Sequence, residues 1–204
     1  MSTRSLPNLS PLRHLPWSSP EFAQAVVRLV IVVLVNAYAW TDFSAAHLAS
    51  PDYVAPSRWV SFLAGVATTL ILVSTLKAPA ASVTRRLVGI THDTVTICMA
   101  MYMGLEANAA FGVLYLIIIV GNGIRFGVLY MGYATACSLL GFGAVHHFSP
   151  FWQSTPTLSF YITALLVVVP AYMYGPLRSL HRVRAELEQR ANHDHLTGLM
   201  NRAS

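Results

Sequence analysis

The sequence predicts an all-α fold: a polytopic membrane bundle of six transmembrane helices whose last helix extends into the cytoplasm. Three observations carry this. The chain is 55% hydrophobic and only 10% charged, against roughly 25% charged in soluble globular domains, which is too little charge to build a water-facing surface. The apolar residues come in blocks near the ~20 residues that cross a hydrocarbon core as helix. The arginines gather at the ends of those blocks, where they set topology.

Residues 1–21, rich in Pro, Ser and Arg and without a period, read as a cytoplasmic tail. Breaks at Pro, Gly and charge then place spans at 22–41, 58–76, 84–104, 108–122, 126–147 and 157–175. Lys and Arg concentrate in cytoplasmic loops. With both termini inside, 12 of the 13 basic residues lie at or near that side, and Arg58 alone falls outside. A five-span alternative with the N-terminus outside would carry Arg4 and Arg13 to the wrong face. The outer segments are then 42–57, a turn near Glu106, and the stretch His146 to Trp152, whose aromatic residues suit an interfacial belt. No helix breaker follows Pro176, so the last helix should continue to about Ala191. Leu177, Leu180, Arg184, Leu187 and Ala191 step by 3 and 4 along it, the spacing of a short dimer seam. An amphipathic helix lying on the membrane surface is the alternative.

Several function classes drop out. Nucleic-acid binding is not expected, because the basic residues flank apolar blocks and form no stripe with interleaved aromatics. Cys98 and Cys137 both fall inside apolar blocks, which leaves no disulfide framework and no paired thiolates for zinc. A secretory signal ending at Ala37-Tyr38-Ala39 would need an unusually long basic segment, and Phe22 to Trp40 is long enough to be retained. His146-His147 has no third metal ligand in view, and a bis-His haem would need a partner for His92, the one deep histidine. No metal or cofactor is expected in this chain.

Polar residues inside the spans are the candidates for function. Asp93 lies well within the third span, where a charge costs about 2.5–3.5 kcal/mol on insertion scales, so it must find a partner. The sequence offers Arg125 at the end of the short fourth span, with Asn122 to supply further hydrogen bonds and His92 beside it. Such a pair is either a structural clamp or a signal-responsive element. Gly121, Gly123 and Gly127 interrupt the same region, as residues that line a binding site or that let helices pack closely. Glu106, at the outer turn, could meet an incoming ligand or be a solvated acid.

Two stretches resemble known families. His193-Asp194-His195-Leu196-Thr197-Gly198-Leu199-Met200-Asn201-Arg202 matches eight of the ten positions of the His-Asp-x-Leu-Thr-Gly-Leu-x-Asn-Arg run that opens GGDEF diguanylate cyclase domains. The resemblance implies that residues 193–204 begin such a domain and that 177–192 is a signalling helix. The residues that bind GTP and Mg would then follow Ser204, so this chain itself is expected to be no enzyme. It also implies a homodimer, because two facing domains join two GTP molecules into cyclic di-GMP. Asp194, Asn201 and Arg202 would fix the junction between helix and domain.

Arg85-Arg86-Leu87-Val88-Gly89, Asp93, Gly104-Leu105-Glu106, Gly121-Asn122-Gly123-Ile124-Arg125-Phe126-Gly127 and Ser149-Pro150-Phe151-Trp152 resemble the input region of sensor histidine kinases that detect diffusible signal factor, a cis-unsaturated medium-chain fatty acid. The resemblance makes residues 22–176 a sensor domain of the bacterial inner membrane with a fatty-acid-like ligand. Its candidate binding residues are Asp93, His92, Glu106, Asn122, Arg125 and Trp152. A small transporter with Asp93 and Arg125 along its path, or a redox or metal sensor, are the alternatives.

Overall fold

The structure, a computed structural model, describes residues 19–192, and every regular element among them is a helix. Helix α1 spans Pro20–Ala39. Its first turn is closed by Ser19, whose hydroxyl accepts from the Phe22 amide at 3.1 Å, and Pro20 occupies a position whose amide would have had no helical partner. A short helix α2 (Asp42–Ala46) and a 3-10 turn at Pro51–Tyr53 lead into α3 (Val54–Lys77). Helix α4 (Val83–Met103) is capped by Ser82. A 3-10 segment at Glu106–Phe111 feeds α5 (Gly112–Phe126). Gly127 alone then turns the chain into α6 (Val128–Phe148). Its φ of 101° is open to glycine at little cost and to few other residues. Helix α7 (Pro150–Ser154) precedes α8, which runs from Pro156 to Asn192 with Pro170 and Pro176 inside it.

Among the described residues five stretches are long and apolar enough to cross a membrane: Pro20–Ala39, Pro51–Lys77, Glu106–Phe126, Val128–Phe148 and Pro156–Leu187. Much of their apolar surface points outward, as at Leu34, Leu70, Leu129 and Leu140, which suits lipid as the neighbour. Helix α4 is not among them, because Arg85, Arg86, His92 and Asp93 dilute its apolar content. It nevertheless packs against α3, α5 and α6 and buries Ile90, Ile97 and Met101 in the core, beside Tyr115, Ile119 and Trp152. The predicted fourth span, 108–122, proves to be a 3-10 lead-in followed by an α-helix that continues to Phe126.

The far end of α4 is held by donors from three elements. A helix leaves its last carbonyls without partners, and in a membrane each must be met from elsewhere. Here the Asn108 side chain donates to Ala100 O at 2.9 Å, Trp152 Nε1 to Met101 O at 2.9 Å, and the Ala49 amide to Met103 O at 2.8 Å. An isolated antiparallel bridge between Leu48 and Gly104 completes the knot. Trp152 is therefore fully buried, against Phe142 and Phe151 with ring centroids 5.3 Å away in each case. The interfacial place expected for it is corrected: its indole N–H was needed inside.

The dimer seam read from the sequence also changes. Leu177 is buried against Gly123, and Arg184 reaches back to the Ile124 carbonyl at 3.2 Å. Two of its five positions thus serve the chain's own bundle. Leu180, Val183 and Leu187 are exposed and form the apolar stripe that remains.

Candidate functional site

Asp93 has a partner inside the bundle, and it is not Arg125. Arg28 of α1 holds the carboxylate with two hydrogen bonds, Nε to Oδ1 at 2.5 Å and Nη2 to Oδ2 at 2.9 Å. The side chains are 7% and 16% exposed, so this is a buried, two-pronged charge-assisted pair. Arg28, read from the sequence as a cytoplasmic-edge anchor, is corrected to an interhelical ligand. The two charges sit at matching depth: Arg28 lies nine residues past the cap Ser19, and Asp93 eleven past the cap Ser82. That match was a usable signal.

Gly89 makes the pair possible. A Cβ built at Gly89 would stand 2.6 Å from Arg28 Nη2, closer than real carbon atoms come. Gly89→Ala is expected to displace the guanidinium and weaken the bundle by roughly 1–3 kcal/mol, the usual cost of overpacking. Unfolding of the purified protein in detergent, with Gly132→Ala as an open-site control, measures it.

Two turns earlier on α1, Glu21 makes a second ionic centre that the sequence reading missed. Its carboxylate accepts from the Ser82 amide at 3.0 Å, from Arg85 Nε at 2.8 Å and Nη2, and from Arg86 Nε at 2.7 Å. The Arg86 guanidinium also lies over the Phe126 ring, 4.5 Å from its centroid, a cation–π contact. Glu21 so ties the start of α1 to the start of α4, and Arg86 carries the contact on to the end of α5.

Above these ionic groups, α1, α3, α4 and α5 border a narrow cleft of about 80 Å³. Polar groups collect at its basal end, where α1 and α4 begin and α5 finishes: Gln24, Arg28, His92, Asp93, Asn122 and Arg125. Farther along, the walls are mostly apolar, with Ile31, Val35, Ile97, Leu114 and Phe111 among a few polar groups, Asn36, Ser61 and Thr96. A second hollow of about 40 Å³ shares Val35, Ser61, Thr96, Ala100 and Phe111 with the cleft and reaches Tyr38, Leu48 and Met103.

The polar end has one unmatched charge. His92 Nε2 lies 3.0 Å from the Thr68 hydroxyl. Asn122, buried, donates to the Ile118 carbonyl at 2.7 Å and accepts from Gln24 Nε2 at 2.9 Å, a bond that crosses from α5 to α1. Arg125 is half-buried and has only a long contact, 3.4 Å, to the Gly121 carbonyl of its own helix. Among the described residues it has no carboxylate partner. Arg28, Asp93 and Arg125 together leave the cleft one positive charge to spare.

Four of the sequence candidates, His92, Asp93, Asn122 and Arg125, therefore line one cleft. Glu106 does not: it is exposed at the start of the 3-10 segment. Trp152 also stays outside, in the knot that holds α4. Asp194, Asn201 and Arg202 lie outside the described residues. His146 bonds to the Ser159 hydroxyl at 3.0 Å, and among the described residues no three His, Cys, Asp or Glu side chains gather to hold a metal.

Over 182 residues the chain is 30% identical to the sensory/regulatory protein RpfC from two strains of Xanthomonas campestris pv. campestris. The similarity takes in 84% of this chain and 24% of RpfC. The chain thus spans about a quarter of the length of these relatives, to which it is homologous. No family model and no solved structure matches it.

Proposed function

We propose that this chain is the membrane-embedded input module of a bacterial signalling protein, with six spans, both termini in the cytoplasm, and the cleft between α1, α4 and α5 as its ligand site. Helix α4 is the sixth span. Its buried Asp93 is matched by Arg28, and Arg85 and Arg86 share Glu21 at its first turns, so its low apolar content does not bar it from the membrane. The ligand is a fatty-acid-like amphiphile. Its carboxylate meets Arg125 at the polar end and its chain lies along the apolar walls toward Phe111. The output is an attached GGDEF diguanylate cyclase, brought together as a homodimer through α8 and opened by the run that contains Asp194, Asn201 and Arg202.

The observation that carries this reading is Arg125, a cation without a counterion facing a cleft that is otherwise apolar or internally paired. A positive charge in the last turn of α5 that no carboxylate matches is available to an anionic group, and homology to a sensory/regulatory protein supports the same class. Native mass spectrometry and titration with dodecanoic acid test it. The expected result is one bound fatty acid per chain and at least a tenfold loss of affinity in Arg125→Ala, because a charge-assisted hydrogen bond contributes about 1.5–3 kcal/mol. Equal affinity in wild type and Arg125→Ala, or equal binding of dodecanol, would remove Arg125 as the carboxylate site.

A further inference from the structure

Helix α5 ends in a turn with two working faces. Asn122 and Arg125 lie on the cleft. Gly123, next to Asn122, is turned the other way: a Cβ there would stand 2.7 Å from Leu177 Cδ1 of α8 and 3.2 Å from Met131 Cβ of α6. Its missing side chain is what allows α8 to come this close. The last carbonyls of a helix lack intrahelical donors or have capacity to spare, and α8 supplies donors to two of them. His181 Nε2 lies 2.8 Å from the Gly123 carbonyl and so donates to it, while Arg184 Nη1 donates to the Ile124 carbonyl at 3.2 Å. These bonds bring residues from beyond Pro176 onto the turn that carries Asn122 and Arg125.

The cleft face of the turn is held in turn by α1. Gln24 spans the cleft to Asn122 at 2.9 Å, so separation of α1 from α5 loads or releases this turn. We propose that residues 121–127 act as a relay, in which a change at the cleft face is passed to α8 through the hydrogen bonds donated by His181 and Arg184. This rests on reading the cleft as a ligand site and adds the route by which its occupancy leaves it. His181 and Arg184 are positioning residues. They touch no ligand, and their substitution should separate cleft from helix without emptying the cleft. Coupling through a shared element is an interaction energy and shows up as non-additivity.

The test is backbone hydrogen exchange of the chain in lipid nanodiscs, read over residues 177–187. Gln24→Ala is expected to raise exchange there at least threefold in the wild-type background and to have no effect on top of His181→Ala/Arg184→Ala. Arg125→Ala, at a half-buried position, gives a second perturbation of the same face should Gln24→Ala fold poorly. Equal increments in both backgrounds, or none in the first, would overturn the relay. Dodecanoic acid as a probe separates this outcome from the fate of the ligand site. Protection over 118–126 without non-additivity sinks the relay and leaves the ligand reading, whereas non-additivity without protection supports the relay and sinks the ligand.

Discussion

Asp93→Ala is expected to destabilise the bundle by about 3–5 kcal/mol, the scale found when one member of a buried ion pair is removed and the other is left without compensation. The cost would come from Arg28, which has Asp93 as its ion-pair partner and lies 7% exposed. Removing both charges with well-packed apolar residues, Arg28→Met with Asp93→Leu, should recover most of the loss, since such replacements are often neutral. Asp93→Asn keeps an acceptor and should lose less. A double-mutant cycle measured by unfolding in detergent decides the pairing. Arg28 and Asp93 should couple by more than about 1 kcal/mol, while Arg125 and Asp93 should add to within roughly 0.5 kcal/mol. Strong coupling to Arg125 instead would contradict the geometry.

The second large effect is expected at Trp152. Trp152→Ala should cost about 3–5 kcal/mol, the range for deleting a buried aromatic side chain, and it also frees the Met101 carbonyl in surroundings that hold no other donor for it. Trp152→Phe separates the two losses. It keeps much of the packing against Phe142 and Phe151 and drops only the hydrogen bond, so about 1–3 kcal/mol should remain, as for a buried acceptor left unmet. Thermal unfolding followed by tryptophan-independent circular dichroism reads both. An interfacial tryptophan would cost far less in either variant.

How far the sequence could be read follows from the same residues. Apolar length and charged ends placed the helices to within a few residues, because lipid demands that length of any span. Asp93 stood out because a charge there is costly on any arrangement of helices. What was not legible was which helix stands beside which. In a membrane the lipid-facing and neighbour-facing sides are both apolar, so periodicity does not point a helix at its partner. Sequence alone offers Arg125 either as a candidate partner of Asp93 or as an ordinary cytoplasmic anchor, and it counts Arg28 with the basic residues at the cytoplasmic edge. Glu21 suffered similarly. It stands one residue into α1 and has its partners, Arg85 and Arg86, more than sixty positions away. Trp152 carried a residue type common at membrane surfaces, and only the unpaired end of α4 explains why it is inside. The cleft could be assembled from four of the six candidate residues, but the unmatched charge of Arg125 became visible only once Asp93 was seen to be taken.

Helix α8 has a mechanical consequence. Its 37 residues make a rod about 55 Å long at ~1.5 Å per residue, against a hydrocarbon core of roughly 30 Å. About 25 Å of it must therefore stand clear of the bilayer. The bonds from His181 and Arg184 grip it close to where it emerges. The bundle therefore holds α8 as far as Arg184, and the remaining residues to Asn192, about 12 Å at ~1.5 Å per residue, form a short free end. So short a rigid end carries a shift at the grip to its tip without bending it away, and a group fixed to that tip would move in step with the turn that ends α5.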